Sequence, residues 1–294
     1  MYRILSFDGG GIRGILSARI VERLGEARPG FAAKTDMFAG TSTGSILALA
    51  LAKGLSAHDI VELYEDTGPH IFSHRDFWDR FALDELRRAD YAAEPLKRAL
   101  KGSYGDTLVG DLGADILVPA LNISRWRPKF FNKDDDSWTL WEVGLASAAA
   151  PTYLPGFTGP DGCCYADGGL FANNPAPFAI TETQIKGLRL DSVVMLSLGT
   201  GAFRPAIQAA DGMDWGIYQW ALDPGLLMPA VFDAPVMAAT TSAERILGDR
   251  FRRIQPQLQK PVDLDETGKI DELLAEADDL DLRPTLDWVD EHWL

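Results

Sequence analysis

The sequence predicts an α/β protein built on a mostly parallel sheet with helices on both faces, and three observations carry that expectation. Short apolar runs that read as strands alternate along the chain with stretches in which apolar residues recur at helical spacing. The run at residues 192–198 is apolar almost throughout, as a strand buried on both faces is. Glycine-rich turns follow three of the runs, at residues 9–11, 40–44 and 168–169. In an open α/β sheet ligands bind at the carboxyl ends of the strands, so these turns are the first place to seek a site.

Residues 2–7, YRILSF, are the first predicted strand, closed by Asp8, Gly9, Gly10 and Gly11. Ile12, Ile15, Leu16, Ile20 and Leu24 then follow a helical period, with Arg19, Glu22 and Arg23 between them. Residues 36–39 predict a second strand and residues 45–53 a helix rich in Ala and Leu. From 58 to 101 charges alternate with apolar residues at helical spacing, predicting helices joined by the aromatic, polar segment 70–78. Strands are expected at 116–121, 127–132 and 163–166, with a helix at 138–149 that ends at Pro151.

At 294 residues and 46% hydrophobic content, one large domain is expected over residues 1–262. Residues 263–294 hold twelve Asp and Glu against Lys269 and Arg283, a local charge of −10 within the total of −15. This tail reads as a helical addition packed on the same domain, with a solvated acidic face. The remaining −5 leaves the body near neutral, so an anionic lipid surface does not strongly repel it. Nucleic acid is not an expected partner, because phosphate binding needs clustered Lys and Arg. Cys163 and Cys164 are adjacent, which excludes a disulfide framework and a four-cysteine zinc site. No secretory signal and no transmembrane stretch is read, so the expectation is a cytoplasmic protein.

Residues 38–44, FAGTSTG, place Ser42 in a Gly-x-Ser-x-Gly frame. Such a frame holds a serine nucleophile on a strand-to-helix turn, where Gly40 and Gly44 allow a close backbone approach beside Thr41 and Thr43. A serine needs a base, usually histidine. The order Ser42, Asp167, His292 nominally fits a triad, but His292 lies in the terminal tripeptide, where chains fray, and only one strand precedes Ser42. His58, His70 and His74 fall in the helical segment as surface or capping residues, and no metal-ligand set forms around them. The remaining candidate is Asp167, at a strand end and followed by Gly168 and Gly169. A carboxylate acts as general base when a dry pocket raises its pKa; an ordinary Asp-Gly turn is the alternative.

The loop of Gly9, Gly10, Gly11, Ile12, Arg13 and Gly14 has two readings. Gly9, Gly11 and Gly14 fit the dinucleotide fingerprint G-x-G-x-x-G, which also wants an acid at the end of the second strand, whereas Asp36 stands at its start. As an oxyanion hole, the loop offers backbone N–H groups at a helix N-terminus, with Gly10 and Gly11 as donors. Arg13 would then meet a phosphate or hold the loop, unless it is an ordinary surface arginine.

DGGGIRG at 8–14, GTSTG at 40–44 and DGG at 167–169, in that order, closely resemble the patatin-like phospholipase family. ASAAAPTYLP, DGGLFANNP and SLGTG around them agree; the resemblance is strong to about residue 201 and looser to about residue 274. It implies a three-layer α/β/α sandwich and hydrolysis of lipid acyl esters by a Ser-Asp dyad that uses neither metal nor cofactor. Carried over, the nucleophile is Ser42, the base Asp167 and the oxyanion loop residues 9–14, with the family's loop arginine at Arg13. The implied partner is a phospholipid or other acyl lipid at a membrane surface; the sequence identifies no activating partner, and the resemblance gives the acidic tail no role. A dinucleotide-dependent oxidoreductase and a catalytically silent lipid-binding module remain as alternatives. Residues 215–232, WGIYQWALDPGLLMPAVF, read as a lipid-facing lip or as a core helix pair.

Replacing His58, His70, His74 and His292 together by glutamine is expected to leave kcat on a soluble ester unchanged while circular dichroism shows an intact fold. A loss of about 10⁴-fold, the size seen when a triad is disabled, would reinstate a histidine base.

Overall fold

The computed structural model describes residues 1–73, 89–203, 216 and 227–294. The strands are β1 (Tyr2–Phe7), β2 (Met37–Gly40), β3 (Asp115–Asn122), β4 (Arg127–Phe131), β5 (Phe157–Thr158), β6 (Cys164–Asp167), β7 (Val193–Leu198) and β8 (Phe251–Ile254). The helices are α1 (Gly14–Ala27), α2 (Thr43–Lys53), α3 (Ala57–Ile71), α4 (Ala93–Tyr104), α5 (Leu140–Ala148), α6 (Gly169–Ala172), α7 (Ala176–Ile185), α8 (Leu227–Leu247), α9 (Ile270–Asp279) and α10 (Arg283–His292). All eight strands join one sheet, and β3, β2, β1, β7 and β8 run parallel in that order.

The layers follow from the strand period. Leu5, Phe7, Phe38, Ile116, Val118, Leu196 and Leu198 face one way and pack with helices α1 to α5. Ile4, Met37, Ala39, Leu117, Val193 and Met195 face the other and pack with Ala176, Ala179 and Ile180 of α7 and Ala243 and Leu247 of α8. The result is the three-layer α/β/α sandwich.

Two expectations are corrected here. The helix predicted from residue 12 opens as a 3-10 turn, Gly11–Arg13, because Gly11 enters it at φ +57°; regular helix starts only at Gly14. The third glycine turn does not follow a parallel strand, since β6 runs antiparallel to β3. Beyond the point where β2 ends, β3 exchanges its parallel partner for the antiparallel β4 and β6.

The acidic tail is lashed to α1. Arg19 Nε donates to Asp278 at 2.7 Å and Arg28 Nε to Asp290 at 2.5 Å, while Arg23 donates to the carbonyls of Ala277 and Leu280. The C-terminal tripeptide does not fray as expected: Trp293 is fully buried, its indole N–H donates to Phe31 O at 3.2 Å, and Arg3 Nε donates to its carbonyl at 2.6 Å. His292 stacks on Trp288 with ring centroids 5.2 Å apart. Exposed His58 donates through Nδ1 to the Glu22 carboxylate at 2.8 Å, and this partner raises its pKa. His74 and the side chains of the aromatic segment 215–232 lie outside the described residues.

A Cβ added to Gly44 would lie 2.5 Å from the carbonyl oxygens of Phe7 and Asp8, whereas one added to Gly25 of α1 would meet nothing within 4 Å. Gly44→Ala is therefore expected to cost about 1–3 kcal/mol or more as overpacking against rigid backbone. Gly25→Ala, in a helix interior, should gain about 0.5–1 kcal/mol. Thermal melts of the two variants check the opposite signs.

Candidate active site

β2 delivers the chain to Ser42, which takes φ +54° and ψ −124°. That conformation costs a residue other than glycine roughly 1–3 kcal/mol and persists only where the surroundings enforce it. Here they do. A Cβ on Gly40 would overlap the carbonyl oxygen of Gly44, so the strand and helix arms of the turn touch. α2 begins at the next residue, Thr43, two residues earlier than its sequence suggested, and Ser42 stands at the positive end of its dipole.

Register brings Asp167 to Ser42. Ala39 of β2 pairs with Leu117, and Asp167 pairs with Ala120. Ala120 lies three residues beyond Leu117 on β3, and Ser42 lies three beyond Ala39, so serine and aspartate reach the same level from opposite directions. The Asp167 carboxyl is almost fully buried, at 3% exposure. Burial pushes its pKa up to about 6, while the neighbouring Ser42 hydroxyl and the N–H of Gly169, donating to Oδ1 at 2.6 Å, pull it back.

Ser147, at the end of α5, ties the two turns together, a role the sequence did not disclose. Its Oγ accepts the Ser42 N–H at 2.9 Å and donates to Pro119 O at 2.7 Å, and its carbonyl accepts the Gly168 N–H at 3.3 Å. Thr41 adds a second tie, donating to Ala172 O at 2.6 Å. A Cβ on Gly168 would overlap Pro119 O, which gives that glycine its reason.

The glycine loop divides its N–H groups. Gly9 donates to Asn173 O at 3.0 Å, Ile12 to Leu264 O at 2.8 Å, and Arg13 to Gly10 O at 3.2 Å. Those three amides are spent, and Gly14 is the first residue of α1, so the expectation that the whole loop serves an oxyanion is narrowed. Gly10 and Gly11 have no hydrogen-bond partner for their N–H among the described residues, and both line the cavity at Ser42. The loop is held from the far side of the sheet. Arg253 of β8 reaches the buried Asp8, Nη1 to Oδ1 at 2.9 Å with a second contact from Nη2 to Oδ2, and also donates to Ser197 Oγ and Gln255 Oε1 at 2.7 Å. Thr200 Oγ1 donates to Gly9 O at 2.9 Å. Arg13 lines the cavity, and its Nε donates to Gly10 O at 3.4 Å.

A cavity of about 730 Å³ opens on this cluster. Gly10, Gly11, Ser42, Asp167 and Asn173 form its polar end, and Ile46, Leu63, Ile71, Phe72, Leu96 and Leu100 line much of the remainder. Among the described residues no histidine lines it. Residues 261–264, which lead into the acidic tail, close one wall, where the Leu264 carbonyl fills the space a Cβ on Gly11 would need. The dinucleotide reading loses its footing, because the Asp36 carboxylate accepts the Arg3 N–H at 2.7 Å, at the opposite end of the strand from Gly40.

The family model described as patatin-like phospholipase matches residues 5–180. A protein of Pseudomonas aeruginosa named cGAMP-activated phospholipase is 32% identical, over 86% of this chain and 78% of its own length. One of the same name from Escherichia coli is 34% identical over 67% of this chain and 62% of its own. Among solved structures, VipD from Legionella pneumophila aligns over 94% of this chain and 67% of its own, with 13% identity and a TM-score of 0.47. The three motif turns lie inside the matched span, and the chain belongs to the patatin-like phospholipase family.

Proposed function

We propose that this protein is a lipid acyl hydrolase of the phospholipase A or lysophospholipase type, working through Ser42 and Asp167. One observation carries the reading: a serine in a strained turn stands beside a buried carboxyl at the polar end of a large apolar cavity. Family membership supports lipid esters as the substrate class.

Asp167 takes the Ser42 proton as Oγ attacks the acyl carbonyl carbon, and the N–H groups of Gly10 and Gly11 donate to the oxyanion. The carbonyl re-forms, the ester C–O bond breaks, and Asp167 returns the proton to the departing alcohol or lysolipid. Water then attacks the acyl-serine, giving its proton to Asp167. The fatty acid leaves as the C–O bond to Ser42 breaks, and that proton returns to Oγ. The aliphatic wall of the cavity suits an acyl chain, which leaves water in doing so. The alternative of a silent binding module has the same cavity but needs no strained serine.

A fluorophosphonate probe is expected to label Ser42 in the intact chain. Ser42→Ala and Asp167→Asn should each lower ester hydrolysis by about 10³-fold or more; an undiminished rate in either sinks the dyad. Because three relatives carry activation by cGAMP in their names, rates are to be measured with and without that dinucleotide.

Ionised Asp167 is the working base, so kcat/KM should rise as pH passes through about 6 and then level off. The same shift has a stability consequence of defined sign. The folded chain holds this proton to higher pH than the unfolded chain, so the contribution of Asp167 to stability is fully present below about pH 4 and is lost as pH rises through about 6. Asp167→Asn should therefore raise thermal stability at pH 8, by up to roughly 3 kcal/mol, and leave it unchanged near pH 4.

A further inference from the structure

The β3–β4 hairpin carries the most exposed large apolar side chain among the described residues: Trp126, 79% exposed. It sits at φ +52°, where an aromatic residue is an outlier. No ring among the described residues packs on it. Arg125 and Arg127 flank it, both exposed.

The tip is rigidly held despite this exposure. The Asn122 side chain accepts the Arg125 N–H at 2.9 Å, Ser124 Oγ accepts the Cys164 N–H at 2.8 Å, and Ile123 donates to Cys164 O at 2.9 Å. Nothing in those contacts calls for an indole; a strained, water-exposed tryptophan on a braced tip points to a partner outside the chain.

Position then narrows the partner. Asn122 stands two residues beyond Ala120, the level of Ser42 and Asp167, and residues 123–126 stand further out on the same edge of the sheet. At about 3.3 Å per strand residue, the tip overtops the serine by roughly 7–10 Å. Charge narrows it further. The chain carries −15 overall, yet this tip presents two guanidinium groups, with Asp161 near enough to Arg125 that the arginine helps lower its pKa. Trp beside Arg is the pairing that settles at a bilayer interface.

We propose that the hairpin tip, Trp126 between Arg125 and Arg127, docks the protein on an anionic lipid bilayer with the Ser42 edge of the sheet toward the lipid. This rests on the reading of the site as a lipid hydrolase. The indole inserts at headgroup depth and the guanidinium groups meet lipid phosphates and carboxylates. With two cations and one ring, docking is weak, reversible and salt-sensitive.

The test uses the full chain, its Trp126→Ser variant and its Arg125→Gln/Arg127→Gln variant, with matched circular dichroism and melts. Each is sedimented with phosphatidylcholine vesicles, with and without phosphatidylserine, at low and high salt. The wild type is expected to bind the anionic vesicles at low salt, and each variant to bind about fivefold or more weakly. Hydrolysis of vesicle lipid should fall in parallel, while hydrolysis of a soluble short-chain ester stays at the wild-type rate. Equal binding by all three proteins overturns the proposal, as does absence of wild-type binding to either vesicle. If no ester is hydrolysed at all, the hydrolase reading fails, and the sedimentation arm still decides the docking.

Discussion

The site depends on one close approach: the backbone of Gly44, in the first turn of α2, lies against the carbonyls of Phe7 and Asp8 at the end of β1. That contact leaves no room for a side chain, and it forces the chain to turn from strand to helix within two residues. Ser42 is the second of them, and its positive φ is the consequence. The same approach sets the glycine loop, which begins at Gly9, directly beside the serine: a Cβ on Gly9 would lie 3.2 Å from the Cβ of Ser42. The proposed nucleophile and amide donors are thus placed by the packing of two adjacent parallel strands and need no long loop to bring them together.

Beneath the glycine loop lies a buried ion pair. Asp8 and Arg253 are 2% and 9% exposed at their side chains, and each guanidinium nitrogen in the fork also has a neutral oxygen partner. Buried pairs rarely add net stability, because the desolvation of both ions offsets their attraction. Their value here is geometric. A forked guanidinium fixes the orientation of the carboxylate that opens the loop, and a loop that donates from two amides gains from being held before substrate arrives. The tail contributes on the other side, where Leu264 occupies the Ile12 amide.

Much of this was legible in the sequence where the cause is local. The strands ending at Phe7, Gly40 and Leu198 were readable from apolar runs, and the glycine turns from residue type alone. Resemblance and the poor placement of the histidines singled out Ser42 and Asp167, which the fold brings to one cavity. What stayed hidden depends on contacts between distant residues. Ser147 looks like one small residue in a run of alanines until its hydroxyl is seen between Ser42 and Pro119. Arg253 lies 245 residues from Asp8. The direction of β6 is a pairing choice that no short window of sequence records, and the anchoring of the C-terminus rests on a pocket for Trp293 assembled from both ends of the chain.

The antiparallel entry of β6 separates two kinds of distance. Between Ser42 and Asp167 the chain runs 125 residues, through helices and a hairpin, yet the pairing of Ala39 with Leu117 and of Asp167 with Ala120, braced by Ser147, sets their spacing. Insertions between those ladders lengthen the path without moving either side chain. Diversification of this scaffold, natural or designed, is therefore free to add whole elements between residues 42 and 115 or between 122 and 164, whereas a one-residue slip within the six central residues of β3 would separate serine from aspartate.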